Sequence, residues 1–244
     1  MTPLVLVHGF LGGAAQWQGQ LDGLGEGHPI IPVALPGFGD RHSEPAIDTI
    51  AGFARSVLSD LDAQGVGAFD LMGHSMGGMV VQEMMRLAAE RVRNLILYGT
   101  GAVGILPGRF ETIAQSKARA SQDGLRTTVR RIAATWFLAR ENAAAYPDCA
   151  AIAEQASVAA FDAGLDAMQS WSGQDHLTAI AARTLVIWGD GDRTYPWSQT
   201  ELLWRSIHGA ELAVVPGCAH AAHLEKPVLF NHLVCDFLDR TSAQ

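Results

Sequence analysis

The chain has 244 residues, 48% apolar and 17% charged, with 26 glycines and 10 prolines; this excludes a disordered or collagen-like chain and leaves ample material for a buried core. Its net charge is 17 − 25 = −8, so no basic stripe is available for phosphates, and neither nucleic acid nor an acidic membrane surface is an expected partner. Three scattered cysteines (Cys149, Cys218, Cys235), no CxxC pair, no basic leader before His8 and no apolar run of ~18 residues point to a cytoplasmic protein without a disulfide framework, zinc site or membrane span.

In chain order, six short apolar runs each lead into a turn that contains glycine or proline. Leu4–Val7 runs into His8-Gly9, and Ile30–Leu35 into Pro36-Gly37-Phe38-Gly39. Asp48 is the expected cap of a helix carrying Ile50, Phe53, Val57, Leu58 and Leu61 at spacings of three and four, closed by Gly65. Phe69–Met72 ends at Gly73, and a helix is expected over Met76–Ala89. Leu95–Tyr98 ends at Gly99, Thr184–Trp188 at Gly189 and Leu212–Val215 at Pro216-Gly217. Helical segments follow at Pro196–Ile207 and Val228–Leu238. Unbroken apolar runs suit strands buried on both faces of a parallel sheet, and their alternation with helices indicates an α/β fold.

The stretch Ile105–Ala182 departs from this alternation. It is rich in alanine, lacks strand signals and reads as helices, for example Thr127–Ala139 and Ala150–Trp171. The expected division is therefore a core of residues 1–104 and 183–244, with residues 105–182 a helical cap over the carboxyl ends of the strands, where open α/β sheets bind ligands.

The chemistry concentrates at Gly73-His74-Ser75-Met76-Gly77-Gly78. It fits G-x-S-x-G between a strand and a helix, a sharp turn that needs glycines around a strained, exposed serine. Such a serine needs a base, and the base an orienting acid, in the chain order Ser, acid, His. Asp190 and Asp192 follow the fifth run, and His220 and His223 the sixth. Metal binding by His220, His223 and Glu225 is disfavoured because no helix sets the two histidines one turn apart.

These motifs together resemble the α/β-hydrolase superfamily over essentially the whole chain. His8-Gly9-Phe10 resembles its oxyanion loop, Pro36-Gly37-Phe38-Gly39 its proline-glycine loop, Gly189-x-x-Asp192 its acid loop, and His220 with Glu225 and Pro227 its histidine loop. The resemblance implies Ser75 as nucleophile, Asp192 as acid and His220 as base. It implies the backbone N–H groups of Phe10 and Met76 as the oxyanion hole. Asp190 then reads as a turn-capping carboxylate, His8 as structural, holding its loop by hydrogen bonds, His74 as a turn residue, Cys218 as a buried thiol and His223 as a pocket-edge or surface residue. The leading hairpin strands common in the superfamily are missing, so a sheet of about six strands is expected.

A serine at the elbow implies acyl chemistry and no cofactor. The expected substrate is a small, mainly apolar ester or lactone, with Leu11, Trp136, Phe137, Trp171 and His223 as pocket candidates. Ser75–Val80 and Arg109–Phe137 are similar to enol-lactonases; residues 8–13 with Trp17 resemble menaquinone-pathway lyases. Carbon–carbon hydrolysis, a lyase using Ser75 as base, and a ligand-binding or signalling role with slow turnover are the alternatives. The expected assembly is a monomer or homodimer.

Overall fold

The structure, a computed structural model, describes residues 2–25, 27–106 and 111–240; Arg109 lies outside them. All six apolar runs are strands: β1 (Leu4–Val7), β2 (Ile30–Val33), β3 (Phe69–His74), β4 (Val92–Tyr98), β5 (Arg183–Gly189) and β6 (Glu211–Val215). They form one parallel sheet in the order β2-β1-β3-β4-β5-β6. The order reverses between β1 and β3, which opens a crevice at the carboxyl ends of those two strands.

The inner strands are predominantly apolar because both faces are covered, with Asp70 of β3 accepting from the Asn94 amide of β4 at 2.6 Å, while the edge strands β2 and β6 are only partly buried. Val5, Val7, Leu71, Leu97 and Val186 face one apolar cluster, shared with α2 (Ile50–Ala63) and α3 (Met76–Ala88). Leu6, Met72, Ile96, Tyr98 and Ile187 face the other. That second cluster is closed by Trp17, by Leu24 of α1 (Gln18–Leu24) and by Phe230, Val234 and Phe237 of the last helix, Pro227–Asp239. Among the described residues no helix is long and apolar enough to cross a membrane.

Between β4 and β5 lie α4 (Ile113–Gln122), α5 (Leu125–Ala134), α6 (Tyr146–Ala153) and α7 (Val158–Gln169). Two helix boundaries differ from expectation here. Ala150–Trp171 is two helices, because the Ser157 hydroxyl accepts from the Ala160 N–H and starts a new one. The segment from Thr127 stops at Ala134 and gives way to turns. Further upstream, α2 is capped by Thr49 rather than Asp48: the Thr49 Oγ1 accepts from the Gly52 N–H at 3.2 Å. The remaining helices are α8 (Trp197–Ser206), α9 (Ala222–Glu225) and α10 (Pro227–Asp239).

Candidate active site

Ser75 is the single residue between β3 and α3, with φ 57° and ψ −122°. A non-glycine residue at positive φ costs on the order of 1–3 kcal/mol, and the surroundings enforce it. The Ser75 N–H donates to the Tyr98 carbonyl at 3.0 Å, and its carbonyl accepts from the Thr100 hydroxyl at 2.7 Å. The glycines let the chain close: a Cβ on Gly73 would lie 2.3 Å from the Gly77 carbonyl oxygen, and one on Gly77 2.3 Å from that of Val7.

The loop after β1 packs directly on this serine. A Cβ on Gly9 would stand 2.8 Å from the Ser75 Cβ and 3.3 Å from its Oγ. The next peptide N–H, that of Phe10, has no acceptor among the described residues, and neither has that of Met76 at the open N-terminus of α3. His8 holds the loop. Its Nε2 accepts from the Leu35 N–H at 3.0 Å and its Nδ1 donates to the Gly9 carbonyl at 2.8 Å. Complete burial lowers its pKa to about 4, so the ring is neutral.

The loops after β5 and β6 supply a buried carboxylate–imidazole pair. His220 Nδ1 lies 2.9 Å from Asp192 Oδ2, both side chains essentially inaccessible. The other Asp192 oxygen accepts from the N–H groups of Thr194 and Tyr195 at 2.7 and 3.1 Å. Asp190 lies apart from this pair and accepts from the Gly217 N–H at 2.7 Å in the turn after β6. Among the described residues the Ser75 hydroxyl makes no hydrogen bond to His220; catalytic hydrogen bonds of this kind often tighten only around substrate.

A small cavity of about 30 Å³ opens onto Ser75. Phe10, Thr194 and Tyr195 line it from the sheet side, and Leu106, Ile132, Thr135, Trp136 and Met168 from the inserted helical segment. It has room for only a few waters. Of the five expected pocket residues, only Trp136 lines it. Leu11 is buried beneath the loop at φ 60°. Phe137 is fully buried, with its carbonyl accepting from Arg193 at 3.2 Å. Trp171 donates its indole N–H to Glu83 at 3.3 Å. His223 is neither at the pocket edge nor at the surface: it is buried, bonded through Nδ1 to the Tyr98 hydroxyl at 3.0 Å, and desolvation lowers its pKa to about 3. Each of these four side chains was drawn into packing that its type alone does not announce. A larger groove of about 740 Å³ along α10 contains none of the residues around Ser75.

Thr100, Tyr98 and Tyr195, which no local motif marks, support the site, as does Glu225 of the histidine-loop motif. Glu225 alone accepts from the N–H groups of Ala219 and Leu138 at 2.6 and 2.8 Å, tying the histidine loop to the inserted segment. Among the described residues no cluster of His, Cys, Asp and Glu is arranged to hold a metal ion.

Residues 4–233 match the profile of a family described as the alpha/beta hydrolase family. The chain is 28% identical over 260 residues to 2-hydroxy-6-oxo-6-phenylhexa-2,4-dienoate hydrolase of Comamonas testosteroni, covering 96% of this chain and 87% of that protein. It is 29% identical over 248 residues to pimeloyl-[acyl-carrier protein] methyl ester esterase of Yersinia enterocolitica, covering 98% and 94%. Its fold superimposes on the enol-lactonase from Burkholderia xenovorans with a TM-score of 0.88 at 21% identity, covering 98% of this chain and 92% of that one.

Proposed function

The chain belongs to the alpha/beta hydrolase family, and from that premise we propose that it hydrolyses a carboxylic ester or lactone of a small, mainly apolar acyl group. In this reading Ser75 Oγ attacks the carbonyl carbon while His220 Nε2 takes its proton. Asp192 holds the imidazole tautomer and stabilises the imidazolium. The Phe10 and Met76 N–H groups stabilise the tetrahedral oxyanion, at about 3 kcal/mol per donor. His220 returns the proton to the leaving alcohol, and the Ser75 acyl-enzyme forms. Water, deprotonated by His220, then releases the carboxylic acid and regenerates Ser75.

The observation that carries the reading is the buried Asp192–His220 pair at 2.9 Å, on the same sheet edge as a serine at φ 57°. Two unengaged N–H groups beside that serine support it further. The apolar lining of the cavity supports the substrate class.

Turnover of short p-nitrophenyl esters and labelling by a fluorophosphonate test it. Ser75→Ala is expected to lower turnover by at least ~10³ and to abolish labelling. Labelling of another serine, or near-normal activity in that variant, overturns the assignment.

Carbon–carbon hydrolysis is the second reading, favoured by the dienoate hydrolase relative. It ranks below ester cleavage because the described cavity lining has no cationic side chain to receive a dienoate carboxylate. Faster turnover of a vinylogous diketone acid than of any ester would reverse that ranking.

A further inference from the structure

Beneath His220 lies a buried aromatic assembly that the proposed chemistry does not use. His74 and Tyr98 are register partners on the neighbouring strands β3 and β4. Their rings stack at 4.5 Å between centroids and 23° between planes. Both reach past the strand ends to one atom, the carbonyl oxygen of His220. His74 Nε2 donates to it at 3.0 Å and the Tyr98 hydroxyl at 2.9 Å.

The same His74 ring supports the His220 imidazole, at 4.4 Å between centroids. Tyr195, from the acid loop, stacks on that imidazole at 5.6 Å and 18°. The proton of the Tyr98 hydroxyl is committed to the clamp. The His220 carbonyl can only accept, so the one hydroxyl hydrogen goes to it, while the tyrosine oxygen accepts from the His223 backbone N–H at 3.1 Å and lies 3.0 Å from His223 Nδ1. Burial, and then the neighbouring imidazoles His220 and His223, hold the His74 pKa well below its usual range. The contact beside His220 is therefore with a neutral ring.

We propose that His74 and Tyr98 are positioning residues for His220, clamping its main-chain carbonyl with two hydrogen bonds so that Nδ1 stays on Asp192 while Nε2 is aimed at Ser75. The inference rests on the Ser75–His220–Asp192 reading. His220 follows Gly217 (φ 62°), in a loop with no strand pairing of its own. Its ring direction is set by the backbone that carries it, and the clamp holds that backbone. Proton transfer needs Nε2 within hydrogen-bond reach of Oγ, and a displacement of about 1 Å can cost 10²-fold in rate.

The test uses His74→Phe, which keeps a ring and removes the donor, and His74→Gln, which keeps an N–H at similar reach. Steady-state kinetics on a short p-nitrophenyl ester are expressed per folded molecule, with the folded fraction taken from thermal denaturation. His74→Phe is expected to lower kcat about 10- to 100-fold with KM within about twofold, and His74→Gln to recover most of that loss. A purely structural role changes the folded fraction and leaves kcat per folded molecule unchanged. If His74→Phe does not fold, Tyr98→Phe, which removes the second donor and keeps the ring, is read by the same split between kcat and KM.

The clamp is overturned if kcat of His74→Phe stays within twofold of wild type, or if His74→Gln is as slow as His74→Phe. For Tyr98→Phe, an unchanged kcat per folded molecule has the same consequence. His220→Ala separates the two levels. If it is inactive while His74→Phe is unimpaired, only the clamp fails; if it retains full activity, the reading beneath the clamp has failed as well.

Discussion

Asp192 divides its two carboxylate oxygens between different tasks: Oδ2 lies 2.9 Å from His220 Nδ1, and Oδ1 accepts two peptide N–H groups of its own loop. The second set fixes the carboxylate before the first can use it. Asp192→Asn keeps the shape but offers His220 an amide, which favours the wrong imidazole tautomer. Its expected cost is ~10⁴ in kcat, by analogy with the serine-protease case. Asp190→Asn, two residues away in the turn contact with Gly217, should cost far less in kcat and act mainly on stability. Kinetics of the two variants side by side decide the register; the reverse order would assign the acid to Asp190.

Trp136 and Trp171 differ in their surroundings. Trp136 lines the cavity at Ser75, whereas Trp171 is held by Glu83 on α3. Trp136→Ala enlarges the cavity, and kcat/KM should shift toward longer acyl esters by about 1–3 kcal/mol of discrimination. Trp171→Ala should leave the chain-length profile alone and destabilise the fold by about 3–5 kcal/mol, the usual cost of removing a buried aromatic. An unchanged profile in Trp136→Ala, with the fold intact, removes Trp136 from the acyl pocket.

Strain at Ser75 predicts a trade between activity and stability. Glycine adopts positive φ without the steric cost that serine bears. Ser75→Gly should therefore be inactive yet more stable than Ser75→Ala, by about 1 kcal/mol after the extra backbone entropy of glycine is deducted. Urea midpoints at equal slope measure the difference. A Ser75→Gly midpoint at or below that of Ser75→Ala would show that the elbow stores no strain.

His8 makes stability depend on pH in a definite direction. Its folded pKa of about 4 lies below the unfolded value near 6.5, so between those limits the unfolded chain binds the extra proton. Stability is complete above pH ~6.5 and falls as the pH drops toward 4, by about 3 kcal/mol from this group. His8→Asn, which cannot titrate, should lose less stability than wild type between pH 7 and pH 4.5. Parallel losses in the two proteins would mean that His8 is not held neutral.

Much of the architecture is legible in local composition. Strand segments that pack against covered sheet faces are predominantly apolar, so all six stood out, from Leu4–Val7 to Leu212–Val215, even with Asp70 inside β3 and the edge strands β2 and β6 only partly buried. The turn around Ser75 was equally legible. Only glycine fits where a Cβ would meet a main-chain carbonyl at 2.3 Å, and the sequence carries glycine at 73 and 77. Helix boundaries were less visible. Ser157 and Thr49 act as caps through single hydroxyl contacts that neighbouring polar residues could equally have made.

What tertiary structure alone decided is which side chains meet. Phe137, Trp171 and Trp136 are alike in type and all belong to the inserted segment, yet of the three only Trp136 lines the cavity, because helix ends and turns set each direction separately. His74 and Tyr98 lie 24 positions apart with nothing local to link them. The parallel register of β3 on β4 makes them neighbours, and the loop after β6 brings the His220 carbonyl over both. Residue type and short spacing dictate strands, turns and the identity of chemically competent groups, since those depend on sterics within a few residues. Contacts between segments follow from how the sheet orders its strands, and that order is a property of the packed chain as a whole.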